Sequence, residues 1–561
     1  LREYRQWLDR KYGGLDGLNQ AWLRRYGEWD DVRPGKFPSL PFTENMSFAH
    51  FTTWRACEHA RQRYEVIKGL DPRHPVTVHG GGPSADYTGS ERDSALNRGN
   101  DWFFADRLDG VGTSSFPKWA GIDDAEFGSR VEFVKSAARG KRVWLSELQG
   151  GRSAQGFDVH ESVDALSQQR WIWNGVACGA DTILFWCWRD EVFCREAGGF
   201  GLIGKDGLAE ERLAAMRRTG NILAENAGLI DGYRPTPGRV GVLFSPQSYY
   251  LQWSSTYFGK ECRDALCGYA RALVKRSIPY TVVEEEHLDA LDGLTILFLP
   301  RVIATDEALE RRLEAFVKEG GTLVCESETG AFSPEGIYRE ESRRFTARLA
   351  GIEEIGRRKL RNDWIATVID GRELRMDATP WLTPWQRGRG EILADSDEGA
   401  AIVDVPVGKG RLVLCGSYLG QPYYTRECGK DKGVDRSRTG DFERFVEATA
   451  RRAGWLPEVE VLAPAPEAGR FLYVKTGESG GRKVVFVFFQ EGHREARLRF
   501  APGFIGGGAM KDLMTGGRYV LVSNDAGKDL TLPAGSWRFA VLVEELTVNR
   551  EVGRAGRQEC G

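Results

Sequence analysis

Residues 142–151 read Arg142-Val143-Trp144-Leu145-Ser146-Glu147-Leu148-Gln149-Gly150-Gly151. The β-branched and aromatic run predicts a strand, with one carboxylate near its end and two glycines that stop it. Side chains alternate along a strand, so Val143, Leu145 and Glu147 are expected to share one face. In a parallel barrel the carboxyl ends of the strands open into the site, which makes Glu147 a candidate nucleophile. Glutamates also end strands simply to cap a helix or meet an arginine, so the surrounding chain has to decide.

Outward from this stretch, short apolar runs at 75–79, 108–114 and 181–188 predict three more strands. Helical patterns near 124–139, 161–178 and 208–229 alternate with them. Upstream, two helices over 3–25 part at Gly13-Gly14, a Pro-rich loop carries Pro34, Pro38 and Pro41, and a long helix runs from about 48 to 70. Successive β-then-α units imply parallel strands with right-handed crossovers. Four such units make half of an eight-stranded barrel, and an open sheet of four would leave apolar faces uncovered. The expected fold class is α/β, with residues 1–232 forming the C-terminal half of a TIM (β/α)8 barrel, strands 5 to 8.

Gly232 to Gly238, with Pro235 and Pro237, predicts a boundary. A doubly wound α/β pattern follows over 238–455, with strands at 239–244, 294–299, 321–325 and 410–415 and helices near 306–318 and 441–453. Short alternating runs over 457–545, including 483–488 and 537–543, predict a small antiparallel, β-sandwich-like domain. Residues 546–561, rich in Arg and Gly, are expected to be a loose tail.

At 561 residues the chain has room for several cores. Its 41% apolar and 28% charged content is ordinary, and a net charge of -3 gives no electrostatic case for nucleic acid or an acidic membrane. No run of about 18 or more apolar residues is present, so no membrane span is expected. Ten cysteines lie at 57, 178, 187, 194, 262, 267, 325, 415, 428 and 560, without a CxxC pair. Neither a zinc site nor a disulfide scaffold is indicated, no metal or other cofactor is expected, and scattered thiols favour a reducing, cytoplasmic setting. The chain opens at Leu1 inside a helical pattern with no initiator methionine or signal pattern, and so is expected to be N-terminally cut.

Several segments then align with one family. Trp7-Leu8, Tyr12-Gly13, Leu15, Leu18-Asn19 and Ala21-Trp22 resemble the WL…YG.L..LN.AW stretch of the β-galactosidases of glycoside hydrolase family 42. Ser115-Phe116-Pro117, Glu147-Leu148-Gln149, and Gly179-Ala180-Asp181 with Phe185, Trp188 and Arg189 extend the similarity, as do Glu196 and Gly201-Leu202. The resemblance implies a TIM barrel, a flavodoxin-like domain that trimerises, and a small β domain. It also implies retaining hydrolysis of a β-linked, galactose-like terminal sugar, with Glu147 as nucleophile on strand 7. The family's acid/base, an Asn-Glu pair on strand 4, is expected ahead of Leu1, which would leave this fragment inactive alone. A homotrimer acting on an oligosaccharide or other β-glycoside is the expected assembly.

Around Glu147, the expected sugar contacts are Glu196, whose carboxylate suits vicinal hydroxyls, and Trp119, Phe116 and Trp188, whose flat rings suit a pyranose face. His79 and Gln149 complete the set as hydrogen-bonding side chains, and Arg189 could orient a carboxylate or close a buried ion pair. Ala197 and Gly199 stand where the family tends to carry glutamine and histidine, which leaves mannoside, arabinoside or fucoside specificity open. Two rival readings remain. One is a non-catalytic carbohydrate-binding or assembly protein on a decayed barrel. The other is catalysis by Cys325, which ends a strand as in glutamine amidotransferases but has no histidine in 416–420.

Overall fold

The computed structural model describes residues 1–35, 42–86, 96–159, 161–256, 260–429, 436–464, 472–489, 495–534 and 538–546. Pro38, Pro41, Trp537 and the expected tail beyond 546 lie outside the described residues.

Helices α1 (Arg2–Tyr12) and α2 (Leu15–Trp22) are separated where expected, because Gly13 and Gly14 take φ of 69° and 117°, open to residues without a β-carbon. They pack on α3 (Phe42–Leu70) through Tyr4, Trp7, Leu18, Trp22 and Phe51. A parallel sheet follows, built from β1 (Thr77–His79), β2 (Gly110–Ser115), β3 (Arg142–Gln149) and β6 (Thr182–Trp186), side by side in that order. A small hairpin, β4 (Ala154–Gln155) and β5 (Asp158–Val159), stands between β3 and β6. Helices α4 (Asp101–Arg107), α5 (Pro117–Ala120), α6 (Asp124–Ala138), α7 (Ala165–Ala177) and α8 (Ala209–Glu225) connect and follow the strands. Val111, Val143, Leu145 and Leu148 are buried on the helix side with Phe127, Val131, Trp171 and Ile172. The opposite face is less covered, and Leu184 is 46% exposed there.

One expectation about β3 is overturned. Thr113 pairs with Leu145, but the next residue, Ser114, pairs with Glu147, so Ser146 is an extra residue in the ladder. This β-bulge reverses the alternation: Leu148, not Glu147, continues the face of Val143 and Leu145. Glu147 points from the opposite, open face. The last strand is also shorter than the run 181–188 suggests. It ends at Trp186, a cis peptide joins Trp186 to Cys187, and Trp188 lies beyond it.

After α9 (Ala227–Asp231), the segment expected to be a boundary is itself paired. Strand β7 (Arg234–Pro235) forms the edge of a sheet whose next strand is Leu472–Ser479. The central seven-stranded sheet contains β8 (Val240–Phe244), β9 (Tyr280–Glu284), β10 (Ile296–Leu299) and β11 (Thr322–Cys325), then Gly410–Cys415. These five are parallel in the spatial order β9-β8-β10-β11-(410–415), the flavodoxin-like 2-1-3-4-5 arrangement. Gly399–Val407 and Glu391–Ser396 extend it antiparallel. Toward the C-terminus, a four-stranded and a six-stranded antiparallel sheet enclose Val485, Val487, Leu498, Phe500, Leu530 and Leu542. Among the described residues no helix is long and apolar enough to cross a membrane.

A polar seam joins the first sheet to the central one. Asp86 accepts Arg263 Nε at 2.7 Å and lies 2.9 Å from Arg130 Nη2, with its side chain 5% exposed. Arg271 donates to both oxygens of Asp123, and Tyr249 donates to the Ala85 carbonyl. Burial opposes ionisation of Asp86, yet Arg130 and Arg263 hold its carboxyl below the usual range. Asp86→Ala would leave the two guanidiniums with only the more distant Glu126, at 3.6 and 3.8 Å, as a shared anion, so the cost falls toward the lower end of the roughly 3–5 kcal/mol typical of a broken buried pair. The urea midpoint at neutral pH is expected to fall accordingly. A depressed pKa stabilises above the unfolded value, so the gap from wild type should narrow as pH drops below about 4.

Candidate active site

Strand β3 needs room for its bulge, and Gly112 on β2 provides it: a β-carbon there would run into the Ser146 hydroxyl. With Ser146 accommodated, Glu147 emerges at the carboxyl end of the sheet beside the ends of β1 and β2. Ser114 Oγ donates to Glu147 Oε2 at 2.7 Å. His79 Nε2 stands 3.8 Å from the same oxygen, beyond hydrogen-bond length and so an ionic neighbour when protonated. His79 and Ser114 hold the Glu147 carboxyl below the usual carboxylate range, against the opposing effect of partial burial. With its side chain 32% exposed, Glu147 presents an oriented, solvent-accessible carboxyl group at this end of the sheet.

On β6, the Trp186 indole Nε1 donates to Glu196 Oε2 at 3.2 Å, drawing the carboxylate of the short helical turn Cys194–Glu196 toward the same end of the sheet. Phe116 and Trp119, around α5, meet the buried Phe200 ring edge to face at 5.3 and 6.5 Å. Phe116 is half-buried in this trio, whereas Trp119 remains 39% exposed with a free ring surface. Trp188 is 60% exposed, and Arg189 is exposed without an ion pair among the described residues, so it closes no buried ion pair there.

Gln149 has to be corrected. It is fully buried, its Oε1 accepts Lys118 N and Trp119 N at 3.0 and 3.2 Å, and its Nε2 donates to the Gly151 carbonyl. Its oxygen is spent on two amides at the start of α5 and one amide hydrogen on the Gly151 carbonyl, so Gln149 shapes the loop bearing Trp119 and, fully buried, presents no surface to a ligand. The structure thus gathers Glu147 and His79 at one end of the sheet, and Phe116 and Trp119 in one aromatic trio. Cys325 is buried among Leu297, Leu299 and Leu323, and burial pushes its thiol up, which removes the thiolate that nucleophilic catalysis needs. Among the described residues no group of three or more His, Cys, Asp or Glu is placed to hold a metal ion.

Two contributors escape the sequence reading: Ser114, inside an expected strand, and Trp186, two residues before the tryptophan singled out. The run Gly110-Val111-Gly112-Thr113-Ser114 carried a signal, because glycine inside a strand marks a bulge or a close backbone approach.

Residues 1–225 match the family model described as β-galactosidase, glycoside hydrolase family 42, and residues 238–427 match the one described as β-galactosidase trimerisation domain. The β-galactosidase BglY of Alicyclobacillus acidocaldarius is 24% identical over 349 residues, which are 57% of this chain and 46% of that protein. The chain spans about half the length of the curated relatives it matches. Among solved structures, the family 42 β-galactosidase Gan42B of G. stearothermophilus superposes with a TM-score of 0.73 at 18% identity, over 97% of this chain and 76% of that one. The β-galactosidase of Bacillus circulans sp. alkalophilus gives 0.76 at 17% identity, over 97% and 76%. These likenesses establish the fold, an α/β TIM-barrel-like domain combined with a β domain.

Ser114→Ala removes the closest hydrogen bond to the Glu147 carboxylate. In a carboxyl-resolved NMR titration, the Glu147 pKa is expected to rise toward the ordinary glutamate value, with the fold unchanged.

Proposed function

This chain belongs to glycoside hydrolase family 42, the β-galactosidase family, and on that premise we propose that it carries the nucleophile half of a retaining β-galactosidase, with Glu147 attacking the anomeric carbon. The observation that carries this reading is the placement of Glu147, turned out of the helix-side core by the bulge, bonded by Ser114 and flanked by His79, neighbours that hold its carboxyl below the usual range. A nucleophile must be charged when substrate binds, whereas a general acid must keep its proton. A carboxyl held below the ordinary range fits the first role.

In this reading the sheet of β1, β2, β3 and β6 is strands 5 to 8 of a (β/α)8 barrel, and the second carboxyl group comes from strand 4, outside residues 1–561. Double displacement requires the two carboxyl groups about 5–5.5 Å apart. Glu147 displaces the aglycone to form a covalent galactosyl ester while the second carboxyl protonates the leaving oxygen. That group then takes a proton from the water that cleaves the ester. Glu196 would accept sugar hydroxyls and Trp119 would stack on the sugar's apolar face. Residues 1–232, 238–455 and 457–545 would be the three domains, the middle one contributing the contacts of a homotrimer.

In the full-length protein, Glu147→Gly is expected to lower kcat by a factor of about a thousand or more without loss of folding. Added azide should restore turnover and yield α-galactosyl azide, because it attacks the face that Glu147 vacates. A β-configured azide would instead make Glu147 the acid/base, and wild-type rates in Glu147→Gly would remove it from the chemistry.

A further inference from the structure

The long connection 187–208, between β6 and α8, holds only the turn Cys194–Glu196 and a single β-bridge between Glu191 and Ala197. A loop of this length has too much conformational freedom to hold a carboxylate within the fraction of an ångström that sugar recognition needs. Its returning half is nevertheless tied to the departing half. Cys187 N donates to the Phe200 carbonyl, Leu202 N to the Cys187 carbonyl and Ile203 N to the Trp188 carbonyl, at 2.9 to 3.0 Å. Residues 200–203 are thereby registered on the chain directly after Trp186, whose indole holds Glu196.

Beneath this segment lies Arg212 of α8, completely buried. Its Nε donates to the Leu202 carbonyl at 3.0 Å, Nη1 to the Val163 carbonyl and Asp206 Oδ2 at 3.1 and 2.7 Å, and Nη2 to the Gly201 carbonyl and Asp206 Oδ1 at 3.3 and 2.9 Å. These contacts use all five guanidinium donors. From the other end, Asp190 accepts Gly201 N and Lys205 N at 3.0 and 3.1 Å. A β-carbon on Gly201 or Gly204 would strike Asp190, so the loop closes around these side chains without slack. Glu147 draws on neither anchor, since its supports are Ser114 and His79.

We propose that Arg212 is a positioning residue for sugar binding: through the carbonyls of Gly201 and Leu202 and the carboxylate of Asp206 it fixes the loop that presents Glu196 and Phe200, independently of the nucleophile. The proposal rests on the galactosidase reading above. Lysine, with three donors and no planar fork, cannot span these acceptors, so Arg212→Lys frees the loop while keeping the charge.

The test uses the full-length protein, with galactose affinity read by tryptophan fluorescence and hydrolysis of 4-nitrophenyl β-galactoside. In Arg212→Lys the dissociation constant and KM are expected to rise about tenfold, with kcat changed by less than about threefold. Backbone amides of 187–206 should exchange hydrogen faster, and those of Arg142–Gln149 should not. Combined with Glu196→Gln, the substitution should weaken binding little beyond Glu196→Gln alone, whereas its effect on KM should persist in full when combined with Ser114→Ala. A general loss of stability would instead lower kcat and add in both pairs, which overturns the proposal, as does unchanged affinity. If Arg212→Lys does not accumulate, Asp206→Asn should give the same pattern at smaller size, and wild-type affinity there would count equally against it. Wild-type protein that neither binds galactose nor hydrolyses the galactoside would overturn the galactosidase reading itself, a result distinct from a normal Arg212→Lys variant.

Discussion

One extra residue in one strand governs the site. Strand side chains alternate strictly between two faces, so a carboxylate two residues after Leu145 belongs, in a regular ladder, to the helix-packed core. There it would meet Val131, Trp171 and Ile172, and its charge would have no partner. The unpaired Ser146 reverses the parity, lets Leu148 fill the core position and delivers Glu147 to the open face. Gly112 makes the bulge sterically possible, and Ser114, opposite Glu147 in the shifted register, becomes its hydrogen-bond donor.

The rest of the site is assembled by polar side chains buried below it. Gln149 spends its amide on the first turn of α5, and so places Trp119. Arg212 and Asp190 staple the two halves of the β6–α8 connection, and so place Phe200 and Glu196. Both cases follow one rule: a polar group taken out of water is stable only when its bonding capacity is filled, and filling it fixes whatever backbone supplies the partners. The seam of Asp86, Arg130, Arg263, Asp123 and Arg271 does the same between sheets. The first sheet is thereby held against the central one by charge pairs in addition to apolar packing.

Much of this was legible in the residues. The four parallel strands follow from apolar runs alternating with helical periodicity, and the break at Gly13-Gly14 from glycine's freedom at positive φ. Glu147 and His79 were recognisable because chemistry-bearing side chains at strand ends are few. The bulge was not, since an extra residue looks the same in sequence as a regular one, and its trace is a glycine on the neighbouring strand, Gly112. Gln149 was misread for a related reason: a buried amide and a ligand-facing one have the same composition, and only the partners distinguish them. Pairing of β7 with Leu472–Ser479 joins residues more than two hundred positions apart, which no local pattern reports.

Composition and periodicity by themselves determined the classes of element, their order along the chain, the ordinary charge balance and the carboxylate at the end of β3, because each is a local property of neighbouring side chains. Which face that carboxylate takes, what holds it ionised, which polar residues are spent on backbone, and how the connection after β6 is closed were decided only by the tertiary structure. Those outcomes depend on register between strands and on contacts between distant segments, and both are set when the chain buries its apolar faces and satisfies the polar groups buried with them.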